Sequence, residues 1–236
     1  NDGRLVVYYR NGSNNNVRGV VVTTSNSNNN LTKATGDNQD GTYAGLGTPN
    51  TSARNARCAI DLAWDPVNNW GLIALNDSSG NIRLNKLTID GNGYISPGSQ
   101  QNGENNYGNG VVVALNPDLT VSGTSKFMVA WGSHNNNAYR GSTYTVTSGA
   151  TPGMPNSLGY IYAPGGSYNA YPQSLEYSAD YKVFMLMSQD GGEGTALSVK
   201  ALDGTSTAMD AQYTQSNVYK STVQLISAGR WGRMSY

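Results

Sequence analysis

Cysteine is nearly absent from this chain: Cys58 stands alone, so no intramolecular disulfide can staple it. Histidine is as scarce, with His134 the sole example. One His and one Cys cannot furnish the four nitrogen or sulfur ligands of a structural zinc site. Charge is thin as well. Charged residues make up 13% of the 236, acids and bases balance at 15 each, and the formal net charge is zero. That leaves no basic footprint for nucleic acid or for an anionic membrane surface. No apolar run nears the roughly 20 residues that a membrane span needs, so no membrane insertion is expected. The opening residues do not read as a secretory signal, and the start at Asn1 reads as that of a fragment or processed chain. Phenylalanine numbers 2 against 16 tyrosines, so the aromatic groups mostly carry hydroxyls.

What is present is neutral polarity around short apolar runs. Asn and Gly number 29 each, and apolar residues make up 37%. The runs are β-branched, aromatic or aliphatic, four to eight residues long, and bounded by turn residues, which is strand grammar. The chain is long enough for one all-β domain with a real core. No helix is predicted; Leu202–Gln212 is the only segment in which a single turn would fit.

The runs repeat in a fixed order of strand, turn, strand, polar loop, strand. Pro172–Asp203 has it, as do Ala59–Thr88 and Val111–Thr147. A fourth copy is split, with Arg230–Tyr236 as first strand, Asn1-Asp2-Gly3 as turn, then Arg4–Tyr9 and Val17–Thr24. An Asn-Asp-Gly turn is what a tight hairpin requires. The last residues of the first strands, Trp64, Leu115, Tyr177 and Tyr236, are spaced 51, 62 and 59 residues apart. Arg opens the third strand at Arg18, Arg83 and Arg140, while Thr195 breaks that mark in the remaining copy. Unbroken runs such as Leu5–Tyr9 suit strands covered on both faces. Fourth strands are expected near Leu31–Thr35 or Thr42–Leu46, and at Gly93–Pro97, Ser157–Ala163 and Ser221–Ile226.

The expected fold is therefore all-β: a four-bladed β-propeller-like ring with one blade completed by both termini. A single domain, 1–236, would comprise repeats 230–236 plus 1–57, 58–109, 110–171 and 172–229. An antiparallel β-sandwich or jelly roll shares the short strands and polar turns and is the alternative. The repeat pattern in Ala59–Asp90 and Gln173–Asp203 resembles propeller-like adhesive modules, such as those of bacteriophage tail and receptor-binding proteins and of lectin-type propellers. The resemblance implies a rigid binding module in an extracellular or virion-surface setting. It carries over no functional residue, because no family site motif is matched.

The chemistry-bearing residues are few. His134 sits in Gly-Ser-His-Asn-Asn-Asn with no nucleophile-elbow context, and reads first as a loop tip. Asp37 and Asp40, in Asp-Asn-Gln-Asp-Gly, could supply oxygens to calcium. They lack the downstream Glu of an EF-hand and are turn chemistry by default, so no metal or cofactor is expected. Glycoside hydrolysis or lysis would need two acids facing one sugar; Asp61 and Glu176, both on first strands, are the candidates. Binding is the broader option. The loops between second and third strands would open on one face, together with the links between copies. They contain Arg10, Asn11, Asn76, Asp77, His134, Asn135, Gln189 and Asp190. Amides both donate and accept hydrogen bonds, which suits a neutral sugar. Four sequons, at Asn11, Asn30, Asn50 and Asn76, are no surprise in so Asn-rich a chain.

The sequence thus points to a non-enzymatic surface module whose partner is a glycan or cell-surface receptor. Two alternatives stand beside it: a carboxylate-dependent glycoside hydrolase or lyase, and a structural component of a capsid, tail or filament that packs against other subunits.

Overall fold

A computed structural model describes residues 4–10, 17–24, 31–33, 60–77, 79–103, 108–133, 138–149, 151–153, 156–162, 170–190, 197–202 and 209–215. Among these residues the fold is all-β, with no helix, and every strand pairing is antiparallel. The strands form four separate sheets. Sheet I is β1 (Arg4–Arg10), β2 (Val17–Thr24) and β3 (Leu31–Lys33), in that order. Sheet II is β4 (Ile60–Asp65), β5 (Trp70–Asn76), β6 (Ile82–Ile89) and β7 (Ile95–Pro97), with β8 (Gln101–Asn102) also pairing with β6. Sheet III is β9 (Gly108–Val121), β10 (Thr124–Ser133), β11 (Ala138–Thr147) and β12 (Asn156–Tyr162). Sheet IV is β13 (Ala170–Ser178), β14 (Val183–Asp190), β15 (Leu197–Leu202) and β16 (Met209–Gln215). Within each sheet the spatial order follows the chain.

Alternation along the strands shows how the sheets stack. In β5, Trp70, Leu72 and Ala74 point one way and Ile73 and Leu75 the other, and every residue of the strand is buried. The first set packs with Val111, Val113, Phe127, Val129 and Trp131 of sheet III. The second packs with Val17 and Val21 of sheet I. Sheet III is double-faced in the same way: Val112, Ala114, Met128 and Ala130 meet Leu175, Phe184 and Leu186 of sheet IV. The packing order is I, II, III, IV. Burial on both faces explains why the middle strands read as continuous apolar runs rather than alternating ones. Each large apolar side chain buried here stabilises the stack by about 1.5–3 kcal/mol.

The turns between first and second strands lock the sheets at one end. Asp65 is fully buried at the end of β4, and its Oδ1 accepts from Val67 N at 2.8 Å. Its Oδ2 accepts from Asn68 Nδ2 at 2.7 Å and from Ser125 Oγ of sheet III. Ser125 Oγ accepts from Trp70 Nε1 at 2.6 Å, and Asn68 also donates to Val121 O at 2.8 Å. Lys86 Nζ lies 3.8 Å from the Trp70 ring centre and donates to Thr147 O and Gly149 O. Burial holds that ammonium below the usual lysine range. Sheets III and IV are joined the same way: Asp118 Oδ2 accepts from Tyr177 Oη at 2.8 Å and from Lys182 Nζ.

Several expectations change in detail. Asn116–Ser125, which follows the first-strand anchor Leu115 and is rich in turn residues, is mostly strand: β9 runs on to Val121 and β10 starts at Thr124. Asn116 Oδ1 accepts from Asp118 N and Leu119 N, so the chain kinks without losing those bonds and pairing resumes at Val121–Thr124. The segment where one helical turn would fit ends in strand β16. This strand is the fourth of sheet IV among the described residues. Gln101–Asn102, past the expected fourth strand Gly93–Pro97, also pairs with β6. Arg230–Tyr236, Asn1–Gly3, Thr42–Leu46 and Ser221–Ile226 lie outside the described residues.

Candidate functional site

The opposite end of the stack is where second strands hand over to third strands. Its described part is built around Asp77, just past β5. Asp77 Oδ1 accepts from Ser79 N and Asn81 N, both at 2.9 Å. Its Oδ2 accepts from Arg83 Nε at 2.8 Å and Asn81 Nδ2 at 3.3 Å. The main chain closes the loop, with Asp77 N donating to Asn81 O and Gly80 N to Asp77 O. Gly80 has φ +82°, a left-handed conformation that favours glycine. Burial pulls the Asp77 carboxyl upward, but hydrogen bonds from Asn81, Arg83 and Ser79 outweigh it and hold it below the usual carboxylate range.

The same construction recurs at the other end of β6. Asp90 Oδ1 accepts from Asn92 N at 2.9 Å and Tyr94 N at 2.8 Å, and Gly93 has φ +83°. The shared spacing, Asp followed by Gly three residues later, was visible in the sequence as Asp77-Ser-Ser-Gly80 and Asp90-Gly-Asn-Gly93. It marks an Asx-closed hairpin loop.

The link after β7 folds back beside the Asp77 loop. Arg83 Nη1 donates to Asn102 Oδ1, and Gln100 Nε2 donates to the same oxygen at 3.1 Å. Gly103 N donates to Ile82 O at 2.9 Å. The result is a rim in which Arg83 ties a loop carboxylate to a link amide, with Gln100 and Asn102 exposed. The Arg mark at the start of third strands thus has a local purpose at Arg83. Nothing in the residue spacing told which carboxylate it would take.

Other candidates fall in different places. Asn76 is 1% exposed, under the rim rather than on it. Arg10 closes β1, opposite Val17. Gln189 and Asp190, expected in the loop between second and third strands, belong instead to the end of β14, opposite Tyr171 and Ala170. Asn11, Asp37, Asp40, His134 and Asn135 lie outside the described residues. No group of three or more His, Cys, Asp or Glu side chains that could hold a metal is present among the described residues.

The two carboxylates considered for hydrolysis sit on strands that both pack against β9. Asp61 is heavily engaged. Its Oδ1 accepts from Tyr8 Oη of sheet I at 3.0 Å and from Leu62 N at 2.9 Å. Its Oδ2 accepts from Val113 N of sheet III at 2.8 Å. One carboxylate therefore clasps β1, β4 and β9. Glu176, on β13 opposite Met185, is half-buried.

No family model matches this chain, and a search of curated proteins finds no relative.

Proposed function

We propose that this protein is a non-enzymatic binding module of an extracellular or virion surface, which recognises a glycan or cell-surface receptor through the loop end of its sheets. The observation that carries this reading is the rim formed by Asp77, Arg83, Gln100 and Asn102. It offers exposed amides held in place by an ion pair, and prepositioned neutral donors and acceptors fit sugar hydroxyls. The engagement of Asp61 by three donors from three sheets argues for a staple and against a general acid or nucleophile. We further read the four sheets as blades of a propeller-like ring. Sheets II, III and IV each begin with a first strand beside its neighbour's, whereas sheet I begins with what is a second strand elsewhere. Its β1 edge has room in the pattern for Arg230–Tyr236.

A glycan-array screen of the purified chain, with the double variant Gln100→Ala, Asn102→Ala beside it, tests the binding function. Selective glycan binding that the variant weakens at least tenfold is the expected result. No binding at tens of micromolar protein, or binding indifferent to the variant, would sink it.

A second reading, as a structural subunit, is favoured by one feature of the opposite end. Among the described residues, Val67, Leu119, Val121 and Tyr181 are more than half exposed; Val67 and Tyr181 sit on turns and Leu119 and Val121 at the end of β9. Apolar tips gathered at one end are what packing against another subunit would use. Sedimentation velocity across a concentration series separates the two: concentration-dependent assembly abolished by Val121→Asp and Tyr181→Asp would favour this reading.

A further inference from the structure

Sheets II and III share one layer of side chains, and its two ends are built differently. At the turn end the polar groups satisfy one another: Trp70 Nε1 bonds Ser125, Ser125 bonds Asp65, and Asn68 bonds Asp65 and Val121 O. At the loop end they do not. Asn76, Trp131, Ser133 and Ser142 are all 1% exposed or less. Among the described residues, Asn76 Nδ2 and Oδ1, Trp131 Nε1, Ser133 Oγ and Ser142 Oγ have no hydrogen-bond partner.

These groups face the same layer. Trp131 packs in the core shared by sheets II and III, and Ser133, two residues on, points to the same side. Ser142 lies opposite Val129, which belongs to that core too. Asn76 continues the Trp70, Leu72, Ala74 side of β5 toward sheet III. Five unpaired polar atoms sealed in one layer are too costly to persist without partners. The satisfied network at the other end of the layer shows that the fold pairs such groups where side chains can reach.

The chemistry of the atoms selects the occupant. Trp131 Nε1 and Asn76 Nδ2 can only donate, so the occupant must accept. Asn76 Oδ1 can only accept, so the occupant must also donate. A metal cation fails the first condition and a simple anion the second. Water meets both, and a buried water makes about three hydrogen bonds. We propose that the loop end of this layer is a built-in hydration site, holding at least two ordered waters that bridge sheet II to sheet III through Asn76, Trp131, Ser133 and Ser142.

The sign of a stability change tests it. Removing an orphaned buried hydroxyl raises stability, whereas removing a water ligand lowers it. Ser142→Ala and Ser133→Ala are therefore each expected to lower Tm, by about 2–4 °C for a chain of this size, with near-UV circular dichroism unchanged. A crystal structure at about 1.5 Å is expected to show ordered water within hydrogen-bonding distance of Trp131 Nε1 and the Asn76 amide. A rise or no change in Tm for both variants would overturn the proposal. So would a dry layer, or protein groups occupying the positions assigned to water.

Discussion

Asp61→Ala is the substitution that most sharply separates a staple from a catalytic acid. The carboxylate accepts from Tyr8 Oη, Leu62 N and Val113 N. Two of those donors belong to other sheets, so the substitution strips bonds that tie β4 to β1 and to β9. Val113 N points away from β10 and has Asp61 Oδ2 at 2.8 Å as its acceptor, so truncation leaves a backbone donor in the core. Hydrogen bonds to a charged group are each worth about 1.5–3 kcal/mol, and an orphaned buried donor costs about 1–3 kcal/mol. Partial exposure of Asp61 and entry of water offset some of this. The expected loss is about 3–5 kcal/mol, roughly a 10 °C fall in Tm for a chain of this size. Asp61→Asn keeps an acceptor for one or two of the donors and is expected to lose about 1–2 kcal/mol. Equilibrium unfolding in guanidinium chloride, followed by tryptophan fluorescence, reads both numbers. A loss under about 1 kcal/mol for Asp61→Ala would refute the clasp. If it came with abolished turnover on any glycan, the hydrolase reading would replace it.

Three further outcomes follow from the same geometry. The Asp77 carboxyl is depressed in the folded chain, so its contribution is present above the unfolded carboxylate pKa of roughly 3.9 and is lost as pH falls through the folded value. Asp77→Asn should flatten the acid limb of a Tm-versus-pH curve, and an unchanged limb would contradict the loop assignment. Burial, with the hydroxyl's bond to Asp118, raises Tyr177 to about 12. Its contribution is full below roughly pH 10 and disappears as pH rises through about 12; Tyr177→Phe should remove that part of the alkaline loss in the same titration. A Cβ on Gly71 would stand 2.7 Å from Trp64 Cε3 and 3.1 Å from Ala63 O, so Gly71→Ala should cost about 1–3 kcal/mol by denaturant unfolding.

Much of the strand layout was legible because the middle strands β5 and β10 are buried on both faces. Trp70–Leu75 and Phe127–Trp131 announce themselves as nearly unbroken apolar runs. The extension of β9 was not, since Asn116, Pro117 and Asp118 are turn residues in isolation. Bonds from Asp118 N and Leu119 N to the Asn116 side chain, and from the Thr120 hydroxyl to Asn116 O, bridge the break in the ladder between Asn116 and Val121. β16 was missed although Met209, Ala211 and Tyr213 alternate with polar residues, because Asp and Ala are poor strand formers and the run carries only one aromatic and no β-branched apolar residue. At the loop end, Asp77 stood out as a loop acid. Its role as the anchor of Arg83 depended on a link that folds back through Asn102, and spacing does not encode that. Asp61 looked like a chemical group for the same reason that it is a structural one: it is an acid on an inner strand. What distinguishes the roles is Val113 N and Tyr8 Oη arriving from two neighbouring sheets, which a single strand's residues cannot reveal.

The central proposal is a ring of the four consecutive sheets whose first sheet is completed from the far end of the chain. An experimental structure of the full chain that resolves the pairing of β1 tests it most directly. The account predicts Arg230–Tyr236 hydrogen-bonded antiparallel along the edge of β1 that β2 leaves open, with sheet IV packed beside sheet I. An open β1 edge, or sheets I and IV separated at the ends of an unclosed stack, would contradict it.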